Sequence, residues 1–308
     1  MSAKWLRQKY TRRFAGMDKY PMRIAGLITF GYVAQILGAV AAGAYLLSLT
    51  FGWATPVAAL ALMIFVATRF RGLNNIIHEC SHATFTRVRS HNTLIGKFCA
   101  VLLFSSFMDY RDEHLTHHAH LGDYDHDHDL QGIKDLKLHE PLSARVILRH
   151  LVTPFLGRHL PYYLHLDLTA RDGKVSLLLK LLVLTSVAFC LVLFPVTTIL
   201  FLVLPFTLLY SALNYWTDCL DHGGIVASGD DLDASRNILA PHLIRYLFFP
   251  RNDCFHLVHH LFPHVPARLL EASHKLLELD DVYNSRPNAV PRKTLAERLP
   301  ADTLIPAE

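Results

Sequence analysis

IAGLITFGYVAQILGAVAAGAYLLSLTFGWATPVAALALMIFVAT, the stretch from Ile24 to Thr68, contains no Asp, Glu, Lys or Arg. A bilayer crossing takes roughly 20 apolar residues, so this run is long enough for two. A turn from Thr50 to Thr55, containing Gly52, divides it. A second charge-free run, from Leu181 to Thr217, is divided by Phe194-Pro195. The expected fold is an all-α membrane protein with four transmembrane helices in two hairpins, at approximately 24–49, 54–77, 176–194 and 196–216. Composition points the same way: the 308 residues are 52% hydrophobic with a mean hydropathy of +0.25, too apolar for an ordinary soluble domain.

Outward from these runs, charge sets an orientation. Of 30 Lys and Arg, seven precede Ile24, 13 lie from Arg69 to Lys174, nine follow Thr217, and Lys180 stands at the entry of the third helix. The hairpin turns carry none. Positively charged loops stay in the cytoplasm, which places both termini and the long central segment there. The first apolar stretch is too long for a cleaved signal peptide and leads straight into a second span. Asn92 to Met108 must not span, or the histidines on its two sides would face opposite compartments; it reads as a buried or re-entrant segment. Arg145 to Leu168 alternates apolar and basic residues and reads as helix lying in the interface. The chain is thus divided into a basic, amphipathic arm (1–23), a membrane domain (24–279) and a polar, proline-containing tail (280–308) that adds little to the core. No nucleic-acid partner is expected.

Three histidine clusters carry the chemistry: His78-Glu79-Cys80-Ser81-His82, His114-Leu115-Thr116-His117-His118 and His256-Leu257-Val258-His259-His260, with His222 alone between the last two. Spacings of three and four bring the imidazoles of a cluster onto one helix face. Nine ring nitrogens exceed one ion's needs and suit two. Neutral imidazole suits iron, copper, nickel or zinc rather than magnesium or calcium. The first cluster also matches the zinc-protease pattern H-E-x-x-H, with Glu79 as general base. That reading leaves the six histidines of the other two clusters idle, so it is the remote alternative. The carboxylate-rich di-iron bundle of soluble proteins is set aside for a site of histidines, and a non-enzymatic metal carrier fits fixed clusters poorly. The five cysteines show no C-x-x-C pairing and read as reduced, small apolar fillers.

The order and spacing of these clusters, together with His114-Leu-Thr-His-His-Ala-His-Leu-Gly122, the acidic run to Asp129, and the ending His256-Leu-Val-His-His-Leu-Phe-Pro263, resemble the integral-membrane fatty acid desaturases and hydroxylases. The resemblance covers roughly residues 70 to 270 plus the hairpin layout. It implies a cytoplasmic helical cap holding two non-haem irons on His78, His82, His114, His117, His118, His222, His256, His259 and His260, with O₂ as co-substrate. It implies a double bond introduced into a lipid acyl chain; hydroxylation, ketolation or desaturation of a small molecule on the same scaffold is the alternative. At Asp218 the acyl-CoA desaturases of known fold have an Asn that holds a water near one iron. Asp218, Glu79 and Asp221 are therefore candidates for water-mediated or supporting roles, as are His120, His126, His128, Asp125, Asp127 and Asp129. His150, His159 and His165 are expected to be solvated or at lipid headgroups. Neither a His-Pro-Gly-Gly haem signature nor a G-x-G-x-x-G fingerprint occurs, so electrons are expected from a separate ferredoxin or cytochrome b5 type donor. The compact, unfused chain leans towards a bacterial inner membrane.

Overall fold

Apolar residues recur every third or fourth position in the basic N-terminal segment, and it forms helix α1 (Ala3–Phe14). In this computed structural model, which describes residues 2–164 and 166–290, Ala3, Leu6, Tyr10 and Phe14 of α1 are buried against Leu257, Leu261 and Phe262. The first charge-free run becomes α2 (Met22–Ser48) and α3 (Ala54–Ser81), which pack against each other across a five-residue turn. Gly72 permits this approach: a Cβ there would lie 2.0 Å from the Tyr32 ring. Small residues serve such close helix crossings.

At about 1.5 Å per residue α3 is about 42 Å long, more than the roughly 30 Å hydrocarbon core. Its two halves differ accordingly. From Ala54 to Phe65 its side chains are exposed or half-buried, whereas from Val66 onward nearly all are buried. The inner half, which carries the first histidine cluster, is wrapped by protein.

Helix α4 (Arg89–Leu102) meets α5 (Phe107–His120) at an angle of 108°. The segment from Asn92 to Met108 therefore bends sharply, with Phe104 at a positive φ of 51°, as a buried or re-entrant element would. Ser106 accepts a bond from the Asp109 amide, and the Asp172 carboxylate accepts from the Phe107 and Met108 amides. Those are the orphan donors of a helix start, and they aim α5 and its histidines.

Helix α6 (Ala144–Val152) exposes Leu148 and Leu151, and Phe155 just beyond it is 81% exposed. Its other face brings His150 inward. The expectation of solvated histidines fails here: His150 Nδ1 lies 2.5 Å from the Tyr215 hydroxyl, and His159 Nε2 lies 3.1 Å from Ser211 Oγ, both buried. An interfacial helix has an inner face, and these histidines are on it. His165 lies outside the described residues.

Helix α7 (Lys174–Leu193) is mostly exposed apolar surface, while buried Lys180 pairs with Asp167 at 2.6 Å. The last long helix, α8, covers residues 195–222 and changes pitch midway, becoming π-helical at Ile199–Val203 and Pro205–Tyr210 before α-helical Ser211–His222. Pro205 offers no N–H and its ring crowds the carbonyl four residues back, so the helix widens around it. Among the described residues, four helices are thus long and apolar enough to cross a membrane.

Beyond α8, α9 (His242–Phe248), α10 (His256–Leu261), α11 (Leu270–Leu277) and a last turn, α12 (Asp281–Asn284), fold back over α1. The polar tail, expected to add little to the core, behaves otherwise over residues 280–290: Tyr283, Ala289 and Val290 are buried in the same cluster as α1. A polar average conceals three apolar anchors. Residues 291–308 of that tail lie outside the described residues. Among the described residues no strand forms beyond one isolated bridge between Tyr20 and Thr86.

Candidate metal centre

Four elements bring the nine histidines together. His78 and His82 sit in and just past the last turn of α3, and His114, His117 and His118 lie on α5. His222 ends α8, and His256, His259 and His260 lie on α10. They form two groups, each with its ring nitrogens within 4.8 Å of one another: His78, His82, His114, His118 and His259, and His117, His222, His256 and His260. In the group of five the Nε2 atoms of His78 and His259 are 2.7 Å apart, and those of His118 and His259 are 2.9 Å apart. In the group of four, His256 Nε2 is 2.8 Å from His222 Nε2 and 2.9 Å from His260 Nε2.

The outer nitrogens show what these inner ones need. His117 Nδ1 donates to Asp127 Oδ2 at 2.9 Å, and His222 Nδ1 donates to the Ala234 carbonyl at 3.0 Å. Donation from Nδ1 leaves Nε2 of a neutral ring with its lone pair. These two lone pairs face each other at 3.3 Å. A cation must lie between them, a proton or a metal ion. Burial reinforces this choice: it holds His256, His259 and His260 well below the ordinary histidine range, with neighbouring imidazoles adding to the effect. Neutral imidazoles converging on a buried point are a donor set for a transition metal, so the residues fit the irons that the sequence suggested. His118 Nδ1 and His260 Nδ1 are buried without a partner.

The other candidates fall into place around this centre. Glu79 is in neither group; it is buried and forms a two-point ion pair with largely covered Arg251 at 2.6 and 3.0 Å. The general base of the zinc-protease reading is therefore committed to an arginine. Two Glu-x-x-His pairs are present, Glu79/His82 and Glu271/His274, but Glu271 likewise binds an arginine, Arg245, at 2.7 Å. Asp221 stands 3.6 Å behind His256 Nδ1, with its Oδ1 buried and unpartnered. Asp218 accepts a bond from the Tyr163 hydroxyl at 2.6 Å. Asp129 stands 3.7 Å from His114 Nδ1. His126 pairs with Asp123 at the surface and, like His120, belongs to neither group. Cys80, Cys99 and Cys254 are buried and free, as filler thiols would be.

Sequence reasoning missed a latch. Arg71, Asn75 and Glu79, spaced four apart on α3, all grip the segment entering α10: Arg71 pairs with Asp253 and donates to the Phe248 carbonyl, Asn75 donates to the Pro250 carbonyl, and Glu79 holds Arg251. The signal was available, since i, i+4, i+8 polar residues on an apolar helix mark one stripe. The latch seats the third histidine cluster against the first.

Beside both groups lies a cavity of about 450 Å³, within reach of His78, His114, His117, His222 and His256.

Long apolar helices ending in two buried imidazole groups define a polytopic membrane protein with a paired metal-type donor set. Comparison with known proteins supplies the family. The fatty acid desaturase family model matches residues 51–287, and the chain belongs to that family. It is similar to a dihydrorhizobitoxine desaturase from Bradyrhizobium elkanii, 24% identical over 282 residues covering 85% of this chain and 78% of that protein. It is also similar to a fatty acid desaturase from Bacillus subtilis (strain 168), 24% identical over 243 residues covering 70% of this chain and 67% of that one.

Proposed function

We propose that this protein is a membrane-bound, O₂-dependent di-iron oxidoreductase that introduces a double bond into its substrate. The observation that carries the reading is the convergence of nine imidazoles, five buried and four half-buried, in two groups. One iron is assigned to His78, His82, His114, His118 and His259, the other to His117, His222, His256 and His260. Bound there, the pair supplies the oxidising power to take hydrogen from an unactivated C–H bond. The chain's own share is positional. Asp127 and the Ala234 carbonyl hold two imidazoles in the Nδ1–H tautomer, and the latch from α3 seats α10. Loss of a second hydrogen from the neighbouring carbon gives an alkene, whereas return of oxygen gives an alcohol; the family match supports the alkene.

The four long helices are assigned to two membrane hairpins, with both termini and the metal centre on the cytoplasmic face; the Lys and Arg distribution supports this. The chain is assigned to a bacterial inner membrane; that both relatives come from bacteria supports the bacterial part of this assignment. Reducing equivalents come from a separate ferredoxin or cytochrome b5 type donor reaching that face. Family membership supports a lipid acyl chain as substrate, whereas the lining of the cavity favours a more polar molecule. The test is metal analysis with product profiling of a host expressing the chain beside a His259→Ala/His260→Ala control. About two irons per chain and an unsaturated product only with the intact protein are expected. About one zinc, or a hydroxylated product alone, would overturn the assignment.

A further inference from the structure

The cavity beside the centre is poorly suited to a plain hydrocarbon chain. Its wall includes the carboxylates of Glu113, Asp129, Asp218, Asp221 and Asp253, against the single guanidinium of Arg71. Arg71 is already paired with Asp253. Asp129 and Asp221 face the outer nitrogens of His114 and His256, at 3.7 and 3.6 Å. Asp218 does neither. It touches no arginine or lysine among the described residues, and it accepts its hydrogen bond from the neutral Tyr163 hydroxyl. Asp221, 2% exposed, adds an oxygen with no partner on the same wall. An alkyl chain seated here would take water from half-buried Asp218 and offer its carboxylate nothing in return. A cation would pair with it.

We propose that the cavity takes a small polar substrate bearing a protonated amine, which pairs with Asp218 while Tyr163 orients that carboxylate. The inference rests on the reading of the adjoining histidines as the oxidising centre and narrows its substrate class. A volume of about 450 Å³ falls in the roughly 300–1,000 Å³ range of small-molecule sites. The same cavity is lined by His78, His117 and His256, so the carbons of an amine anchored at Asp218 share it with the oxidising centre. The C–H bonds oxidised are then those within a few carbons of the amine, and chain length beyond the cavity matters little.

The test is calorimetric binding to the iron-loaded, detergent-solubilised full chain, with hexylammonium, hexanol and hexanoate as probes and iron content measured on every sample. One charge-assisted contact predicts that hexylammonium binds about tenfold or more tightly than hexanol, and hexanoate more weakly still. Asp218→Asn should abolish the preference while keeping its iron, and Tyr163→Phe should reduce it in part. Equal binding of hexanol or hexanoate by the native chain would overturn the inference, as would an unchanged preference in Asp218→Asn. Loss of iron in Asp218→Asn would also overturn it, by assigning Asp218 to the metal. Should Asp218→Asn fail to fold, the Tyr163→Phe ratio decides. Native protein that takes up no iron refutes the oxidising centre itself, a result distinguishable from a failed amine preference in iron-replete protein.

Discussion

In the group of four, His117 leans on Asp127 at 2.9 Å and His222 on the Ala234 carbonyl at 3.0 Å. In the group of five, the carboxylate behind His114 stays 3.7 Å away, 47% exposed, and His118 Nδ1 has no partner. Both groups are assembled by three elements meeting, but two rings of the group of four are also held from behind by hydrogen bonds. Hydrogen bonding to the outer nitrogen fixes both the tautomer and the ring plane. Half of the group of four is thus fixed independently of an ion, and the group of five depends on how α3, α5 and α10 are pressed together.

The most severe way to break this comparison is to remove a ring from each side. His118→Ala and His222→Ala should each abolish product formation and lower iron from about two per chain to about one. Metal analysis of the purified variants checks this, and loss of both irons from either variant would show that the groups are not separable.

Next in size is the latch they share. Replacing one member of a buried ion pair costs about 3–5 kcal/mol because its partner is left charged and dry. Glu79→Gln and Arg251→Met should each lower unfolding stability by about that much in detergent denaturation, with the double variant recovering part of it. Since the latch seats α10, which serves both groups, both irons should weaken together.

The outer carboxylates sharpen the contrast further. Asp127→Asn should weaken the ion in the group of four about 10- to 100-fold, while Asp129→Asn should leave the group of five unchanged in a competitive chelator titration. Equal effects would remove the distinction drawn here.

Smallest is the pH response of the metal-free protein. His256, His259 and His260 are held below the usual 6.5 by burial first and by neighbouring imidazoles second. The unfolded chain therefore binds protons that the folded one refuses, and stability falls as pH drops below about 6.5. His117 runs the other way: burial lowers its pKa, but the hydrogen bond to Asp127 and the charges of Asp129, Asp127 and Asp218 together outweigh this and raise it. Its contribution is fully present below about 6.5 and fades as pH climbs through the raised value. Thermal melts from pH 5 to 8 should show a net loss of stability on the acid side, and a larger loss in Asp127→Asn.

Much of this architecture is written locally. The charge-free runs could only become long apolar helices, since a bilayer satisfies no exposed backbone groups. Histidines at i, i+3 and i+4 could only share a face once their segments were helical. Both rules act over a few residues, so the sequence by itself determined the number of long helices and the eight clustered imidazoles, whereas His222 stands alone and followed from the family resemblance. What lies behind each imidazole is set across distance. Glu79 meets Arg251 172 residues away, and His150 reaches Tyr215 across 65. Tyr283 packs against a helix at the opposite end of the chain. How the nine divide into five and four, which carboxylates support them, and which remains free to face a substrate were decided only by tertiary structure. Long-range pairing depends on how helices cross in space, and no local periodicity encodes a crossing.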